Sequence, residues 1–348
     1  SANSLIDVCA FRARIEQLPK LTLCSILKNL NMNSCVHANE WHGTRAAIVS
    51  NTNSVTEYAI ACDTPNGRMK TFHLFSGVDY ALTTFEASSC DYRKHAVSDV
   101  IEIAYCKSGR FECEYKNGYF TYIGEGDFAI GVLEAQTEKP YFPLGYYTGC
   151  TIIIDVKKTG MIFQNTIEGI SIDLAALLQN YCPDNKCAVI KTPPMLLRIF
   201  NELYEASQEC RFPSDTTTGY LRLKVLELLF LLQHYKPQKQ SAAHTCFSGV
   251  YIKKIKAIKA DITEHWSENP RLKDLSQKYG IGLTVMKDCF KAVYGKPIYA
   301  FQKEYKMQKA AQLLHTTEKS ITEIASLIGY ENPNKSSSAF KNTFGCSP

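Results

Sequence analysis

One short pattern occurs twice near the end of this 348-residue chain, and it constrains the fold more than any other feature. Residues 272–276 predict the start of a helix, Gly280 breaks that helix, and a second helix follows and ends at Gly295. The same order returns within residues 321–345, around Gly329. Helices this short are not stable alone in water, so each pair must pack against other parts of the chain.

Two helices joined by a sharp glycine turn form a helix-turn-helix motif, whose second helix can enter the major groove of DNA. Small residues, Ser276 and Ala325, occupy matching positions where the two helices must cross closely. A helix predicted over residues 298–314 connects the two copies. Its apolar side carries Phe301, Tyr305, Ala310, Leu313 and Leu314. Such a rigid connection would hold both second helices on one face, suited to successive major-groove turns about 34 Å apart.

The positive charge of the chain is concentrated in this helical segment. The whole sequence has a formal net charge of +5, with 45% hydrophobic and 21% charged residues, which is an ordinary globular balance. Residues 250–348 contain 16 Lys and Arg against 9 Asp and Glu, a net charge of +7, so the remainder carries −2. This asymmetry favours a polyanion-binding module joined to a domain with a different partner. A lysine-rich solvated surface is the alternative.

The middle of the chain predicts a β domain over residues 68–160. Runs rich in Val, Ile, Phe, Tyr and Thr indicate strands at 69–75, 100–106, 111–115, 119–123 and 150–156. Residues 107–110 and 116–118 are hairpin signals, and 124–127 predicts another tight turn. Short strands at such spacing indicate a β-sandwich or barrel. Residues 1–67 give no clear prediction.

Residues 161–235 predict a helical segment that is also a candidate dimerisation region. A helix from about residue 219 to 234 has two apolar rows: Leu221, Val225, Leu228, Leu232 and Tyr235, then Leu226, Leu229 and Phe230. One face is expected to pack on the β domain and the other on a second subunit. Burial of the whole helix within its own domain is the alternative. The polar stretch 236–249 predicts a linker.

Residues 272–348 resemble the DNA-binding domain of AraC-type transcription regulators over nearly its full length. The matching motifs lie at 306–314, 320–325, 329–333, 340–341 and 344–348. The resemblance implies a two-motif, all-helical DNA-binding domain, commonly preceded by a cupin-like β domain that senses a ligand or mediates dimerisation. Residues 100–109 and 124–128 are similar to strands of that sensor domain. The expected fold class is α+β multidomain: an N-terminal cupin-like β-barrel with flanking helices and a C-terminal all-α domain, 250–348.

Three positions depart from the family pattern. Gly282 stands where the family usually has a helix-capping Ser, a loss of about a few tenths of a kcal/mol. Ser336 stands where a large apolar residue is usual, and its burial would weaken packing of the second motif by roughly 1–3 kcal/mol. The sequence ends at Pro348, where the family usually continues into a short helix, so a truncated end is expected.

The resemblance assigns DNA contacts to the exposed positions of the two second helices. In the first motif these are Thr284, Lys287, Asp288 and Lys291; in the second they are Asn332, Asn334, Lys335, Ser338 and Lys341. Asn334 suits adenine, Lys287 suits guanine, and Asp288 can accept a hydrogen bond from cytosine. Lys291 and Lys341 are expected to contact phosphates without reading sequence. A solvated helix-surface side chain is the alternative for each.

A metal-dependent cupin enzyme is the main rival from another functional class. It would need several histidines on adjacent strands, and the strand region has His73 and His95. The sequence has no phosphate-binding loop, dinucleotide fingerprint or nucleophile elbow, so no catalytic residue, metal or cofactor is predicted. The 14 scattered cysteines are expected to be thiols. Aromatic residues in the strands are candidates to line an effector pocket or to fill the core: Tyr105, Phe111, Tyr115, Phe120, Tyr122 and Phe128.

The expected function is sequence-specific DNA binding by a transcription regulator that a small-molecule effector controls through the N-terminal β domain. Expected partners are double-stranded DNA, an effector of unknown identity, a second copy of the chain in a homodimer, and RNA polymerase. No stretch is long and apolar enough to span a membrane, so no membrane partner is expected and the predicted location is cytoplasmic. A sensor or interaction protein without DNA binding is the other alternative.

Overall fold

The computed structural model describes residues 46–52, 54–64, 66–90, 100–114, 118–132, 140–159, 171–182, 187–208, 214–236, 247–268 and 270–348. These residues divide into two compact units, with the boundary between Ser248 and Gly249. The first unit contains an antiparallel sheet with helices, and the second is helical. The expected α+β class, with a β-rich domain before a helical one, is confirmed, while the cupin resemblance stays a prediction.

The first unit contains ten strands and four helices in the described ranges. The strands are β1 (Ala46–Asn51), β2 (Val55–Ile60), β3 (Gly67–Phe75), β4 (Val78–Phe85), β5 (Val100–Glu114), β6 (Tyr119–Gly124), β7 (Asp127–Val132), β8 (Tyr147–Asp155), β9 (Ala188–Lys191) and β10 (Phe247–Ser248). The helices are α1 (Val156–Thr159), α2 (Leu174–Tyr181), α3 (Pro194–Gln208) and α4 (Ser214–His234).

The second unit consists of six helices within the described part of the chain. They are α5 (Gly249–Glu264), α6 (Leu272–Lys278), α7 (Leu283–Tyr294), α8 (Ile298–Thr316), α9 (Ile321–Leu327) and α10 (Pro333–Phe344). The expected connecting helix is α8, and the two predicted helix pairs are α6 with α7 and α9 with α10.

The sheet is organised around β5, the longest of the described strands. The strand order is β1-β2-β3-β4-β8-β5-β6-β10, and β7 pairs with both β5 and β9. The first part of β5, residues 101–105, lies between β7 and β8, whereas residues 110–114 pair with β6. All of these pairs are antiparallel, so β5 exchanges one partner for another along its length.

Alternating side chains of the strands supply two hydrophobic cores. Ile101, Ile103 and Tyr105 point to the first core, and Cys106 points to the second. Residues of β2, β6 and β9 meet in the second core. These strands are not neighbours in the sheet, so the sheet must be strongly curved to bring them together. Buried members of that core from these three strands are Tyr58, Ile60, Ile123 and Val189.

Helices α2, α3 and α4 cover the first core. Each presents an apolar face to it, with Leu177 of α2, Phe200 of α3 and Leu228 of α4 fully buried. Tyr105 stacks on Phe200 with ring centroids 4.7 Å apart, which fixes α3 against β5. These helices therefore belong to the β unit as its packed layer.

The second apolar row predicted on α4 (Leu226, Leu229 and Phe230) is mostly buried within its own unit, and the dimer stays a prediction. Leu226 and Leu229 are buried within their own unit, because α4 lies against both α3 and the sheet. Phe230 is 37% exposed, and Leu223, outside the predicted row, is 60% exposed.

Several predicted boundaries also change. The sheet begins before residue 68, with β1 and β2, and β9 interrupts the predicted helical segment by pairing with β7. The end of the predicted linker forms β10 and the start of α5, while residues 237–246 lie outside the described ranges. Most of the predicted strands are present, and β8 begins three residues earlier than expected, at Tyr147.

The hairpin predicted at residues 107–110 is wrong, because β5 runs through it. The register against β8 shifts between Cys106 and Ser108, and Gly109 takes φ +85°. An extra residue is thus absorbed as a bulge that bends the strand and does not reverse it. A Cβ on Gly109 would lie 2.9 Å from the Cα of Tyr147 and would collide with the carbonyl oxygen of Tyr146.

Gly109→Ala is therefore expected to destabilise the β unit more than Gly118→Ala does. Gly118 also has positive φ, +73°, but a Cβ at this position would have no neighbour within 4 Å among the residues that the structure describes. The Gly118 variant should cost about 1–2 kcal/mol for the left-handed backbone alone, and the Gly109 variant should add a steric cost. Urea unfolding followed by circular dichroism measures both, and equal losses would contradict the steric argument.

Candidate nucleic-acid interface

The two helix pairs of the second unit have turns built in the same way. In the first, Gly280 has φ +55° and the amide of Ile281 donates to the carbonyl of Ser276 at 3.1 Å. In the second, Gly329 has φ +79° and the amide of Tyr330 donates to the carbonyl of Ala325 at 2.9 Å. Glycine accepts this left-handed backbone without strain, so it ends each first helix sharply.

The second helix of each pair also ends in the same way. Gly295 and Gly345 have φ +78° and +76°, and their amides donate to the carbonyls of Lys291 and Lys341, each at 2.8 Å. Both helices contain 12 residues, and corresponding positions differ by 50 in number. The turn before α10 is one residue longer than the turn before α7, so the copies are close but not identical.

Corresponding residues of α7 and α10 are buried. Met286, Cys289 and Phe290 face inward in the first motif, as do Ser336, Ala339 and Phe340 in the second. Burial raises the pKa of the Cys289 thiol to about 12, in keeping with a core position. The buried stripe leaves the opposite face of each helix to solvent.

Helix α8 packs against both motifs. Its residue Phe301 contacts Phe290 and Tyr294 of α7, with ring centroids 5.5 and 5.6 Å apart. Further along α8, Met307 and Ala310 share a hydrophobic cluster with residues of α9 and α10, including Phe340. The predicted connecting role of α8 therefore has a physical basis, because this one helix supplies part of the hydrophobic core of each motif.

All nine predicted DNA-contacting residues are exposed. Thr284, Lys287, Asp288 and Lys291 follow helical spacing on the exposed side of α7. On α10 and the residue that precedes it, the exposed set is Asn332, Asn334, Lys335, Ser338 and Lys341. The structure thus brings the predicted residues together in two groups, one on each second helix.

Asn332 has a structural role that the sequence interpretation missed. It is the N-cap of α10, where its side-chain oxygen accepts a hydrogen bond from the amide of Asn334 at 2.9 Å. An Asn followed by Pro at a helix start is a recognisable capping signal. At the matching position of α7, Gly282 makes no side-chain cap, as the sequence predicted.

The first helix of the second motif carries a complete capping box. The hydroxyl of Ser320 accepts from the amide of Glu323, and the Glu323 carboxylate accepts from the amide of Ser320 at 2.7 Å. The Ser320 hydroxyl also donates to the Glu323 carboxylate at 2.7 Å, and the hydrogen bonds that this hydroxyl and the Ser320 amide donate lower the pKa of Glu323. The start of α9 is therefore well defined.

Ser336 is buried, with 6% of its surface exposed. Its counterpart in the first motif is Met286, which is fully buried. A small side chain thus stands at a packing position where the first motif has a large apolar one. The sequence predicted that burial of Ser336 would weaken packing of the second motif, and Ser336 is buried. Both helices of the second motif nevertheless form, with Ala339 and Phe340 in the cluster beside α8.

Helix α5 contacts the first motif at its turn, which no local sequence signal predicts. The ammonium of Lys254 donates to the carbonyl of Gly280 at 2.7 Å. On the same helix, Asp261 accepts from Lys278, the last residue of α6, at 2.8 Å. The hydrogen bond from Lys278 lowers the pKa of Asp261. These contacts tie the first helix of the predicted domain to its first motif.

Lys306 on α8 is a buried cation. It is 4% exposed, and its ammonium has no hydrogen-bond partner among the residues that the structure describes. Desolvation lowers the pKa of this lysine, because burial penalises its charged form. The buried ammonium of Lys306 therefore destabilises the fold in the middle of α8.

Residues 275–348 match the family model described as Helix-turn-helix domain. This segment is a helix-turn-helix domain. It begins within α6 and runs to the last residue of the sequence, so it includes most of the first helix pair and all of the second. The resemblance to the DNA-binding domain of AraC-type regulators is confirmed for this domain.

Named regulators share sequence with part of this chain. The HTH-type transcriptional regulator ExsA of Pseudomonas aeruginosa is 27% identical over 128 residues, which cover 37% of this chain and 45% of that protein. The virulence regulon transcriptional activator VirF of Yersinia enterocolitica is 26% identical over 164 residues, 46% of this chain and 57% of that protein. The chain spans about half the length of these curated relatives.

Solved structures give weaker matches. ToxT from Vibrio cholerae is 13% identical, with a TM-score of 0.27, over 77% of this chain and 96% of that one. The DNA-binding domain of AdpA, solved in complex with a target DNA, is 21% identical, with a TM-score of 0.26, over 27% of this chain and 86% of that one.

The β unit shows no metal site within the described ranges. No group of three His, Cys, Asp or Glu side chains comes together there as metal ligands. His73 instead hydrogen-bonds Asp79 at 2.8 Å and Thr56 at 3.1 Å, and the bond to Asp79 raises its pKa. His95 lies outside the described residues. Among the helices that the structure describes, none has the length and apolarity to cross a membrane.

The aromatic residues predicted to line a pocket or fill the core lie in different places. Tyr105 and Phe128 pack on Phe200 in the first core, and Phe111 belongs to the second. The hydroxyl of Tyr122 donates to Glu112 at 2.7 Å. Phe120 is half-buried, and Tyr115 lies outside the described residues. These side chains do not surround one space, so the residues of an effector site stay unassigned.

Asn332→Ala should destabilise the helix-turn-helix domain by about 1 kcal/mol, because it removes the cap of α10. Asn332→Ser keeps a capping oxygen and should retain most of that stability. Trp266 packs beside the α8 cluster, so its fluorescence during urea unfolding reports on this domain. If both substitutions cost the same, the cap is not what Asn332 contributes.

Lys306→Met should stabilise the domain by about 1–3 kcal/mol at neutral pH, because it removes an unpaired buried charge. The folded wild type binds this proton less tightly than the unfolded chain, so its own stability rises with pH through the lowered pKa. The advantage of the variant should accordingly shrink as the pH approaches the value of an ordinary lysine, about 10.4.

The exposed Lys273 offers a matched control for that measurement. Lys273→Met should change the free energy of unfolding by less than about 0.5 kcal/mol at every pH, since it removes no buried charge. A destabilised Lys306→Met, with Lys273→Met unchanged, would show that the Lys306 ammonium is well compensated in the folded chain.

Proposed function

We propose that the chain is a sequence-specific DNA-binding transcription regulator that reads DNA with α7 and α10. The observation that carries the proposal is the correspondence of these helices: equal length, the same buried stripe, the same glycine end and the same exposed positions. Two matched second helices on one scaffold suit two separate segments of major groove. The net charge of +7 on residues 250–348 favours a polyanionic partner.

The proposed base contacts follow the chemistry of the exposed side chains. On α10, the amide of Asn334 suits adenine, which offers a neighbouring acceptor and donor. On α7, Lys287 suits guanine and Asp288 suits the amino group of cytosine. Thr284, Lys335 and Ser338 complete the two reading faces. Because Asn332 uses its oxygen as a cap, its proposed contact with DNA would come from the amide nitrogen.

Lys291 and Lys341 are proposed to bind phosphates. They occupy the same position, four residues before the glycine that ends each helix, and both are exposed. Ammonium groups at equivalent places give affinity without sequence preference and make binding depend on salt. Lys254 and Asp261 would then act indirectly, by fixing the turn and first helix on which α7 depends.

Control by a small-molecule effector extends the proposal to the whole chain. The β unit has its own cores and is a separate compact unit from the DNA-binding one, an arrangement that suits a sensor. Effector control would require the molecule to prefer one functional state of the protein over another. Action on transcription through RNA polymerase, in the cytoplasm, completes the proposed role.

A homodimer is part of the same proposal. Leu223 and Phe230 lie seven residues apart on α4 and are both exposed, so they form one apolar row on the outside of the β unit. A second copy of the chain is the proposed partner. Sedimentation of the wild type and of Leu223→Glu tests it, because a charge in a real interface would produce monomers.

A selection of genomic DNA fragments with the purified full-length protein tests the central proposal. Enrichment of a common sequence with two short conserved elements is the expected result, and footprinting should show protection of both. A protein that senses or binds partners without DNA would enrich no sequence, with or without candidate effectors. If the buried Ser336 weakens the second motif, the selected DNA should contain only the conserved element that α7 reads.

Lys291→Ala and Asn334→Ala should affect binding in different ways. The lysine variant should weaken binding to all DNA and lower the salt slope by about 1, since one phosphate contact is lost. The asparagine variant should lose about 1–3 kcal/mol on the selected site and relax the preference at one base pair. Fluorescence anisotropy at several salt concentrations, on the selected and a scrambled duplex, measures both effects.

Lys236→Ala serves as the charge-matched control, because Lys236 is exposed on the other unit. Its affinity and salt slope should equal those of the wild type. If Lys291→Ala and Asn334→Ala also bind like the wild type, α7 and α10 are not the reading helices.

A further inference from the structure

Two cysteines face each other at one end of the curled sheet. Cys62 follows β2 and Cys90 follows β4, and the two residues form an isolated antiparallel bridge. The amide of Asp63 donates to the carbonyl of Ser89 at 3.2 Å, so the flanking residues carry the hydrogen bond. Cys62 and Cys90 therefore form the closely spaced, non-hydrogen-bonded kind of pair.

The geometry of such a pair suits a disulfide. Directly opposed residues in it have Cα atoms about 4.5 Å apart and side chains on the same face. Disulfides need Cα separations of about 4.4–6.8 Å, so the backbone would not have to move far. Both residues are thiols in this structure, with Cys62 half-buried and Cys90 in the second core.

We propose that Cys62 and Cys90 are a redox-active pair that a peroxide oxidises to an intramolecular disulfide. The thiolate of the more exposed Cys62 attacks the peroxide, giving a sulfenic acid and releasing water or an alcohol. The thiol of Cys90 then attacks the sulfenic sulfur, the sulfur–sulfur bond forms and a water leaves. Two electrons pass from the thiols to the peroxide. A dithiol reductant can then restore both thiols by thiol–disulfide exchange and is itself oxidised to a disulfide.

The pair is specific within the described strands. Cys113 on β5 stands opposite Thr121, Cys106 opposite Gly149, and Cys150 between Leu82 and Tyr105. None of these three buried cysteines has another cysteine as its cross-strand partner. The register therefore selects Cys62 and Cys90 among the strand cysteines that the structure describes.

A bond between the pair would lock one end of the β unit. The segment from Ser88 to Cys90 lies against the loop at residues 140–142, since Cys90 donates to Pro140 at 3.2 Å and Phe142 donates to Ser88 at 2.8 Å. Phe142 in turn stacks on Phe85 of β4 at 4.8 Å. Cross-linking Cys62 to this segment would hold that loop, β2 and β4 together.

The test uses the full chain with Cys346→Ser, which removes an exposed cysteine that would link molecules to each other. After reduction, desalting and treatment with hydrogen peroxide, remaining thiols are alkylated and the protein is digested without reductant. We expect a cross-linked peptide containing Cys62 and Cys90, lighter by two hydrogen atoms than its parts. A reductant should release both peptides.

Thermal unfolding provides a second readout. Because the bond closes a loop of 27 intervening residues between positions 62 and 90, the oxidised chain should melt roughly 5–10 °C higher, and reductant should abolish the shift. Cys62→Ser, which changes a half-buried residue, should neither form the cross-link nor show the shift. Cys90→Ala gives the same comparison from the buried side.

Three results would overturn the proposal. The first is full alkylation of Cys62 and Cys90 in folded protein after peroxide treatment. The second is oxidation of Cys62 to the sulfinic acid with Cys90 still a thiol, which would show that Cys90 cannot reach it. The third is a peroxide-dependent rise in melting temperature that persists in Cys62→Ser, which would assign the chemistry to other cysteines.

Discussion

The second helices of both helix-turn-helix motifs depend on packing against a single helix, α8. Phe301 contacts the aromatic residues of α7 near the start of α8, and Met307 and Ala310, further along, pack with α9 and α10. Helices of 7 and 12 residues would not persist alone in water. Burial against α8 therefore determines whether the two exposed faces exist at all. The buried ammonium of Lys306 sits in that same helix and opposes its stability.

A comparable dependence holds in the β unit, where β5 belongs to two strand pairings in succession. Its alternating side chains point into two cores. The bulge near Gly109 lets β5 continue from its pairing with β8 to its pairing with β6. The helices α2, α3 and α4 then cover one core, and the curled sheet encloses the other. Each unit thus has a hydrophobic interior of its own, which supports the proposed division into one part that binds DNA and another with a separate role.

Much of the helical unit could be predicted because its signals are local. Glycine at 280, 295, 329 and 345 marks where helices end, and apolar spacing on α7 and α10 separates buried from exposed positions. All nine predicted contact residues are exposed for that reason. The cap made by Asn332 was also a local signal, from an Asn before a Pro, but the family pattern drew attention to DNA contact instead.

Local patterns in the amino-acid sequence are enough to predict the period of each segment, the glycines that end helices, the charge on residues 250–348 and hence the duplicated helical unit. They do not reveal that β5 continues through Gly109, that Leu226 faces inward, or that Lys254 holds the turn at Gly280. Nor do they reveal that Cys62 lies opposite Cys90. Period and turn chemistry act over a few residues, whereas partners distant in the chain are chosen by shared burial and strand register.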